Sequence, residues 1–144
     1  MFAVLTEINW LAVIASTIVF TVLGGLWFAV IVAKPYAVAL GNSSSTSPAD
    51  GKAAAMPPLF IVGPLIASLA VVITSAVLLR ALAVESLADG IAFGLIVGVG
   101  YLVAQTFNIA INPNIPRPLL YGLVNAPYFV ISSVVGSVIL TLWR

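Results

Sequence analysis

Four long apolar runs, separated by short polar or proline-rich segments, organise this chain. They cover about residues 8–33, 58–83, 87–111 and 119–143. A helix that crosses a bilayer needs about 20 predominantly apolar residues, and each run is long enough. The breaks carry their own signals. Lys34-Pro35 ends the first run. Pro57-Pro58 opens the second, at the place where a helix tolerates proline because its first N–H groups lack helical partners. Ser86 with Asp89 three residues on has the form of a capping box before the third run, and Pro118 lies in the first turn of the fourth.

The connections differ in kind. Residues 41–57 begin with a small, polar stretch, Gly41 to Lys52, expected of a flexible surface loop. Within it Asn42-Ser43-Ser44 is formally a glycosylation sequon. Residues 84–89 make a short turn. Residues 112–118 hold Pro113, Pro116 and Pro118, which make that link stiff and extended. Short links favour antiparallel neighbours. The pattern therefore predicts an all-α membrane protein, a single domain over residues 1–144 built as an antiparallel bundle of four transmembrane helices. An even number of spans places both termini on one side.

Composition narrows the chemistry. Of the 144 residues, 62% are apolar and 6% charged, with a mean hydropathy of +1.25; soluble domains average about 25% charged residues. The lipid bilayer is thus the first partner. A net charge of +1 and no basic patch argue against nucleic acid. Cysteine and histidine are absent, which removes disulfides and the usual zinc, haem and acid–base options. The first run does not read as a signal peptide. It follows Glu7 with no Lys or Arg before it, and it exceeds the 7–15 residues or so of such a segment. Lys34, Lys52 and Arg117 fall on one side, against Arg80 and Arg144 with Glu7, Glu85 and Asp89 on the other. Since Lys and Arg favour the cytoplasm, the balance leans toward both termini being non-cytoplasmic. The protein is expected to be multi-pass in a bacterial inner membrane or an organelle membrane. Trp10, Trp27 and Trp143 lie near run ends, as in an interfacial aromatic belt.

Candidate sites come from small and polar residues inside the runs. Gly90, Gly94 and Gly98 are spaced by four, and helical spacing continues that face through Tyr101, Gln105, Asn108 and Asn112. The glycine half invites a close helix. The carboxamide half needs hydrogen-bonding company, because unsatisfied polar groups in hydrocarbon are costly. The fourth run offers Asn125, a Leu123 carbonyl freed by Pro127, and a small-residue surface of Ser132, Ser133, Gly136 and Ser137. Gln105, Asn108, Asn112 and Asn125 are accordingly a candidate polar niche, and Gly90, Gly94, Gly98 and Gly136 candidate packing positions. The niche reads either as a clasp between helices or as a ligand pocket, in which a bound lipid or pigment would fit. Arg80, near Glu85 and Asp89, reads as an interfacial ion cluster.

No catalytic or metal-binding set emerges. The carboxylates Glu7, Asp50, Glu85 and Asp89 belong to loops or boundaries, and the serines and threonines lack a base beside them. The chain is expected not to be an enzyme. Two functional readings remain. One is a structural or assembly subunit that packs in a homo-oligomer or against other membrane subunits. The other is an oligomeric channel or transporter for a neutral or hydrophobic small molecule, since the spans hold no deep charge for ion coupling.

Several short motifs also occur together: Ile8-Asn9-Trp10 at the start of the first run, Gly24-Gly25-Leu26-Trp27-Phe28 near its end, and Arg117-Pro118 followed by Asn125-Ala126-Pro127-Tyr128. In this the chain resembles a family of small four-span integral membrane proteins, domain of unknown function number seventeen sixty-one. Phe28 stands where that family usually has tyrosine, Pro127 also departs from its pattern, and the Ser-rich loop replaces a more charged one. The resemblance implies the four-span fold, with Asn9, Trp10, Gly24, Trp27, Arg117, Pro118 and Tyr128 as motif positions, and implies no activity.

Overall fold

In the computed structural model, residues 2–42 and 57–143 are described, and all the regular structure among them is helical. A 3-10 turn, Phe2–Thr6, precedes α1, Trp10–Leu26. Asn9 caps α1: its side-chain oxygen accepts from the N–H groups of Leu11 and Ala12 at 3.0 and 3.3 Å. The first span then passes through a π-helical turn, Trp27–Ile31, closed by the Val32 N–H on the Trp27 carbonyl at 2.8 Å. A short helix, α2, follows at Ala33–Ala39. Its Pro35 lies in the first turn, where a missing N–H costs nothing. α3, Leu59–Ala81, runs through Pro64. The third span consists of α4, Leu87–Val97, a π-helical turn, Gly98–Val103, and α5, Ala104–Ala110. α6, Pro118–Leu142, runs through Pro127.

Four spans, Trp10–Ile31, Leu59–Ala81, Leu87–Ala110 and Pro118–Leu142, are long and apolar enough to cross a membrane, as the four runs predict. The flexible loop expected at 41–57 lies almost wholly outside the described residues. α2 has no counterpart in the sequence reading, which treats Lys34-Pro35 only as a stop. Ser86 caps α4 as its motif predicts: its hydroxyl accepts from the Asp89 N–H at 3.0 Å and donates to the Asp89 carboxylate at 2.6 Å.

The fourth span is the hub. In its most apolar stretch 44% of residues are buried, against 17%, 22% and 22% in the first three spans. Its small residues make this geometry workable. A Cβ on Gly94 would lie 2.6 Å from the Val134 Cα, and one on Gly98 would lie 3.2 Å from the Val130 Cα, so only glycine lets the third span approach so closely. Gly90 meets Thr141 at one end of this seam, and Phe107 lies over Gly122 at the other. These pairings run antiparallel. On a second side, Phe20 rests on Gly136 and Gly24 on Tyr128, which makes the first and fourth spans antiparallel too. The second span packs mainly on the first, where Ile8, Ala12, Phe20, Val72, Ala76 and Leu79 join one buried cluster. The second and third spans meet only loosely. Between them a groove of ≈ 450 Å³ opens, lined by Val71, Ser75, Leu78, Val97, Tyr101 and Leu102 among others.

Arg80 does not form the expected cluster with Glu85 and Asp89. Its guanidinium Nε contacts Glu7 at 3.3 Å, with both side chains about half exposed. The reason is tertiary: the first turn of the chain folds against α3, and Asp89 is already engaged by Ser86. An exposed pair of this kind contributes about 0–1 kcal/mol.

Two helix ends share one geometry and differ in the residue that makes it. At the end of α2, the N–H groups of Asn42 and Gly41 reach the carbonyls of Ala37 and Val38, with Gly41 at φ 81°. At the end of α3, the N–H groups of Val84 and Ala83 reach the carbonyls of Leu79 and Arg80, with Ala83 at φ 50°. Both are Schellman caps, which want glycine at the left-handed position. Ala83 carries a left-handed penalty of about 1–2 kcal/mol, and its side chain is exposed. Ala83→Gly is therefore expected to stabilise the protein by about 0.5–1 kcal/mol after the entropy of the unfolded glycine is counted. Gly41→Ala is expected to destabilise by at least about 1 kcal/mol, since its Cβ would also lie 2.9 Å from Pro116 Cγ. Reversible unfolding in detergent checks both signs.

Candidate functional site

The side of the bundle that carries α2 and the 112–118 link is built differently from the side that carries the termini. Here the spans form a half-open cavity of ≈ 360 Å³. Phe20 and Gly24 contribute from α1, Phe28 from the first π-turn, Tyr36 from α2, Ser68 and Val71 from α3, Leu102 from the second π-turn, and Asn125, Tyr128 and Phe129 from α6. No charged residue lines it.

Tyr128 is the centrepiece of one wall. Its hydroxyl donates to the Phe20 carbonyl at 3.2 Å, and the hydroxyls of Ser68 and Ser132 lie against it. Its ring meets Phe20 edge-on at 6.4 Å and Phe28 at 5.3 Å, an arrangement aromatic quadrupoles favour. A Cβ on Gly24 would come within 3.0 Å of the Tyr128 hydroxyl, so that glycine is the space the tyrosine fills. Trp27, expected in an outer aromatic belt, instead turns its indole N–H onto the Val124 carbonyl at 3.0 Å. Trp10 and Trp143 are about half exposed at the termini side, where a belt would lie. Tyr36 stacks between Phe28 and Tyr121 at 5.0 and 5.7 Å. Burial, with Tyr121 beside it, pushes the Tyr36 hydroxyl up to about 12, so it remains a neutral donor at physiological pH.

Asn125 is buried, at 4% exposure. Its Nδ2 donates to the Tyr121 carbonyl at 2.7 Å. That is its one hydrogen bond among the described residues. The carboxamide oxygen and the second N–H are left over at the cavity wall.

The other three carboxamides are elsewhere. Asn112 is used by its own link: its side chain donates to the Ile109 carbonyl and accepts from the Asn114 N–H at 2.8 Å. Gln105 and Asn108 sit on the outer face of the third span with Gly100, Tyr101 and Ala104. Both are exposed, and neither makes a hydrogen bond among the described residues. The structure thus does not gather Gln105, Asn108, Asn112 and Asn125 into one niche. The cause is the π-turn at Gly98–Val103, where the Ala104 N–H reaches back to the Val99 carbonyl. One extra residue in the turn rotates everything after it by about 100°. The buried face of Gly90, Gly94 and Gly98 therefore continues through Leu102, Thr106 and Ala110. Tyr101, Gln105 and Asn108 swing outward. The packing glycines Gly90, Gly94, Gly98 and Gly136 all lie against a neighbouring span.

Residues 11–141 match the family described as "Protein of unknown function (DUF1761)", and the chain belongs to that family. Comparison with curated proteins and with solved structures brings no match. The motif positions are thereby given physical duties. Asn9 caps α1, Pro118 occupies the first turn of α6 after Arg117 at the cap position, and Gly24, Trp27 and Tyr128 tie the first span to the fourth.

Tyr128→Phe removes one hydroxyl and leaves the ring contacts. Hydrogen bonds between membrane helices average about 0.6 kcal/mol and reach about 1.7, so a loss in that range is expected, and a similar one for Trp27→Phe. Tyr101→Phe, on the outer face, is the control and should leave the monomer's unfolding free energy unchanged. All three are read from unfolding curves in bicelles.

Proposed function

We propose that this DUF1761 protein is a non-catalytic integral membrane subunit that assembles with a second copy of itself through the outer face of the third span. One observation carries the reading: Gln105 and Asn108 are exposed on that span without a hydrogen bond among the described residues. Gln105 lies five residues before Ala110, about 8 Å inside the helix end at 1.5 Å per residue. The span's 24 residues extend about 36 Å, against a hydrocarbon core of about 30 Å, so Gln105 falls within the hydrocarbon. There an unpaired carboxamide costs several kcal/mol.

A second copy supplies what each face lacks. A carboxamide is both donor and acceptor, so two such faces complement each other across a two-fold axis. Gly100 and Ala104, four residues apart, give the small-residue surface on which helices approach. A Cβ on Gly100 would meet nothing within 4 Å inside the chain. The absence of an enzymatic role is supported by the sequence, which has no histidine or cysteine and holds its few carboxylates in loops or at span ends. A second reading, an oligomeric channel or transporter for a neutral or hydrophobic molecule, draws support from the uncharged cavity. It fails if liposomes carrying the protein pass no such solute. For orientation, Lys34 and Arg117 on the link side support a cytoplasmic 112–118 link with both termini across the membrane.

The lack of native cysteine makes both points directly measurable. Ala104→Cys is expected to cross-link to its own copy in native membranes. In mild detergent the wild type should run as a dimer, and Gln105→Leu with Asn108→Leu should weaken the dimer about tenfold or more. A strictly monomeric wild-type particle overturns the reading. For topology, Asn114→Cys is expected to label only from the cytoplasmic face and Glu85→Cys only from the opposite one.

A further inference from the structure

The cavity next to Asn125 has the attributes of a binding site rather than of loose packing. Asn125 lies seven residues into α6 from Pro118, about 10 Å along the helix, and is 4% exposed. After its bond to Tyr121, a carbonyl oxygen and an N–H remain unpartnered among the described residues. At this depth no bulk water is available to satisfy them. The space they line, ≈ 360 Å³, lies at the low end of the roughly 300–1,000 Å³ of small-molecule sites. It holds a headgroup and excludes a whole lipid. The walls are the rings of Phe20, Phe28, Tyr128 and Phe129, with the Ser68 hydroxyl beside them and no charge. Flat, largely apolar walls around a buried carboxamide favour a flat neutral group with a hydrogen-bonding point facing Asn125.

Access is from the bilayer. Val71 and Leu102 line both the cavity and the open groove between the second and third spans. A chain attached to the headgroup can therefore run out sideways into lipid. We infer that this cavity binds a neutral, membrane-dissolved molecule with a compact ring headgroup bearing a carbonyl or hydroxyl, held by Asn125 between the aromatic rings, with its apolar tail in the groove between the second and third spans. The cavity around Asn125 shares only Leu102 with the outer-face patch, while Tyr101 borders both that patch and the groove, so the headgroup site does not depend on the dimer assignment.

Three probes of matched shape test it on the intact protein in nanodiscs: decylbenzoquinone, decylphenol and decylbenzene. A ligand that binds only the folded state raises the unfolding temperature saturably. The quinone, the phenol or both should do so, which tells a carbonyl headgroup from a hydroxyl one. Decylbenzene, which cannot hydrogen-bond, should bind at least threefold more weakly than whichever of the two binds. Asn125→Leu should weaken that ligand by about threefold to twentyfold, the range of single hydrogen bonds between membrane helices. Gly25→Phe adds a ring from the cavity wall at a position where a Cβ meets nothing within 4 Å. It should abolish binding while leaving dimerisation unchanged, and it decides the matter if Asn125→Leu does not fold. Equal binding of decylbenzene, no saturable binding by any probe, or undiminished binding to Gly25→Phe would each overturn the inference.

Discussion

Lipid tails are as apolar as leucine, so nothing draws four apolar helices together except close contact and the hydrogen bonds between them. In this protein the contact on which the rest hangs is the approach of the third span to the backbone of the fourth at Gly94 and Val134. It is a backbone-to-backbone contact, and dispersion falls off so steeply that half an ångström of separation forfeits about a quarter of it. The fourth span meets this demand on two sides at once. Its serines and Gly136 are buried, facing the third span at Ser133 and Val134 and the first at Gly136 and Tyr128. With one helix central to two close interfaces, the second span is left to pack mainly on the first, and the groove beside the third span follows from that geometry.

The two π-turns convert this packing into something other than a plain bundle. Each lies beside a pair of glycines, Gly24-Gly25 before the first and Gly98 with Gly100 within the second. Glycine lowers the preference for regular helix and leaves room for an extra residue in the turn. In the first span the π-turn presents Phe28 to the cavity and leads into α2, whose Tyr36 reaches the same space. In the third span it keeps Leu102 inward and sets Tyr101 outward, at 70% exposure. An uninterrupted helix would have kept Gln105 and Asn108 on the glycine face against the fourth span. The extra residue is what makes them a surface.

The parts that were legible in the sequence depend on local information. Spans are legible because twenty apolar residues are a matter of composition. Ser86 and Pro118 are legible because caps and first turns use a few fixed residue types. The glycine face from Gly90 to Gly98 is legible because it lies within regular helix. The reading fails one residue further on, since a shift of one hydrogen bond from the fourth to the fifth residue has no residue-type signature of its own. Two glycines at Gly98 and Gly100 were the available hint. The Arg80–Glu7 pair joins residues 73 positions apart, and the cavity is assembled from all four spans and α2. Neither has a pattern that any single stretch of chain could display. Trp27 shows the same limit: its position near a span end fits a membrane belt, while its indole is committed to the Val124 carbonyl by tertiary packing.

Polar groups are distributed unevenly along the membrane normal, and the distribution follows from the packing. On the termini side the spans meet closely through glycine, serine and alanine, and the buried hydroxyls of Ser16 and Ser132 find no hydrogen-bond partner among the described residues. On the link side Gln105, Asn108 and Asn125 all retain unused hydrogen-bonding capacity. At about 0.6 kcal/mol per bond, such groups contribute little strength to the monomer. What such groups provide is selection, because a wrong neighbour leaves them unpaired at the full cost of burial. Breaches of a local rule occur in both halves of the bundle, at left-handed Ala83 on the termini side and at the unpaired carboxamides on the link side. The tight glycine seam makes that tolerable. It holds the third and fourth spans in register without help from the carboxamides, so their hydrogen-bonding capacity is not consumed by the fold.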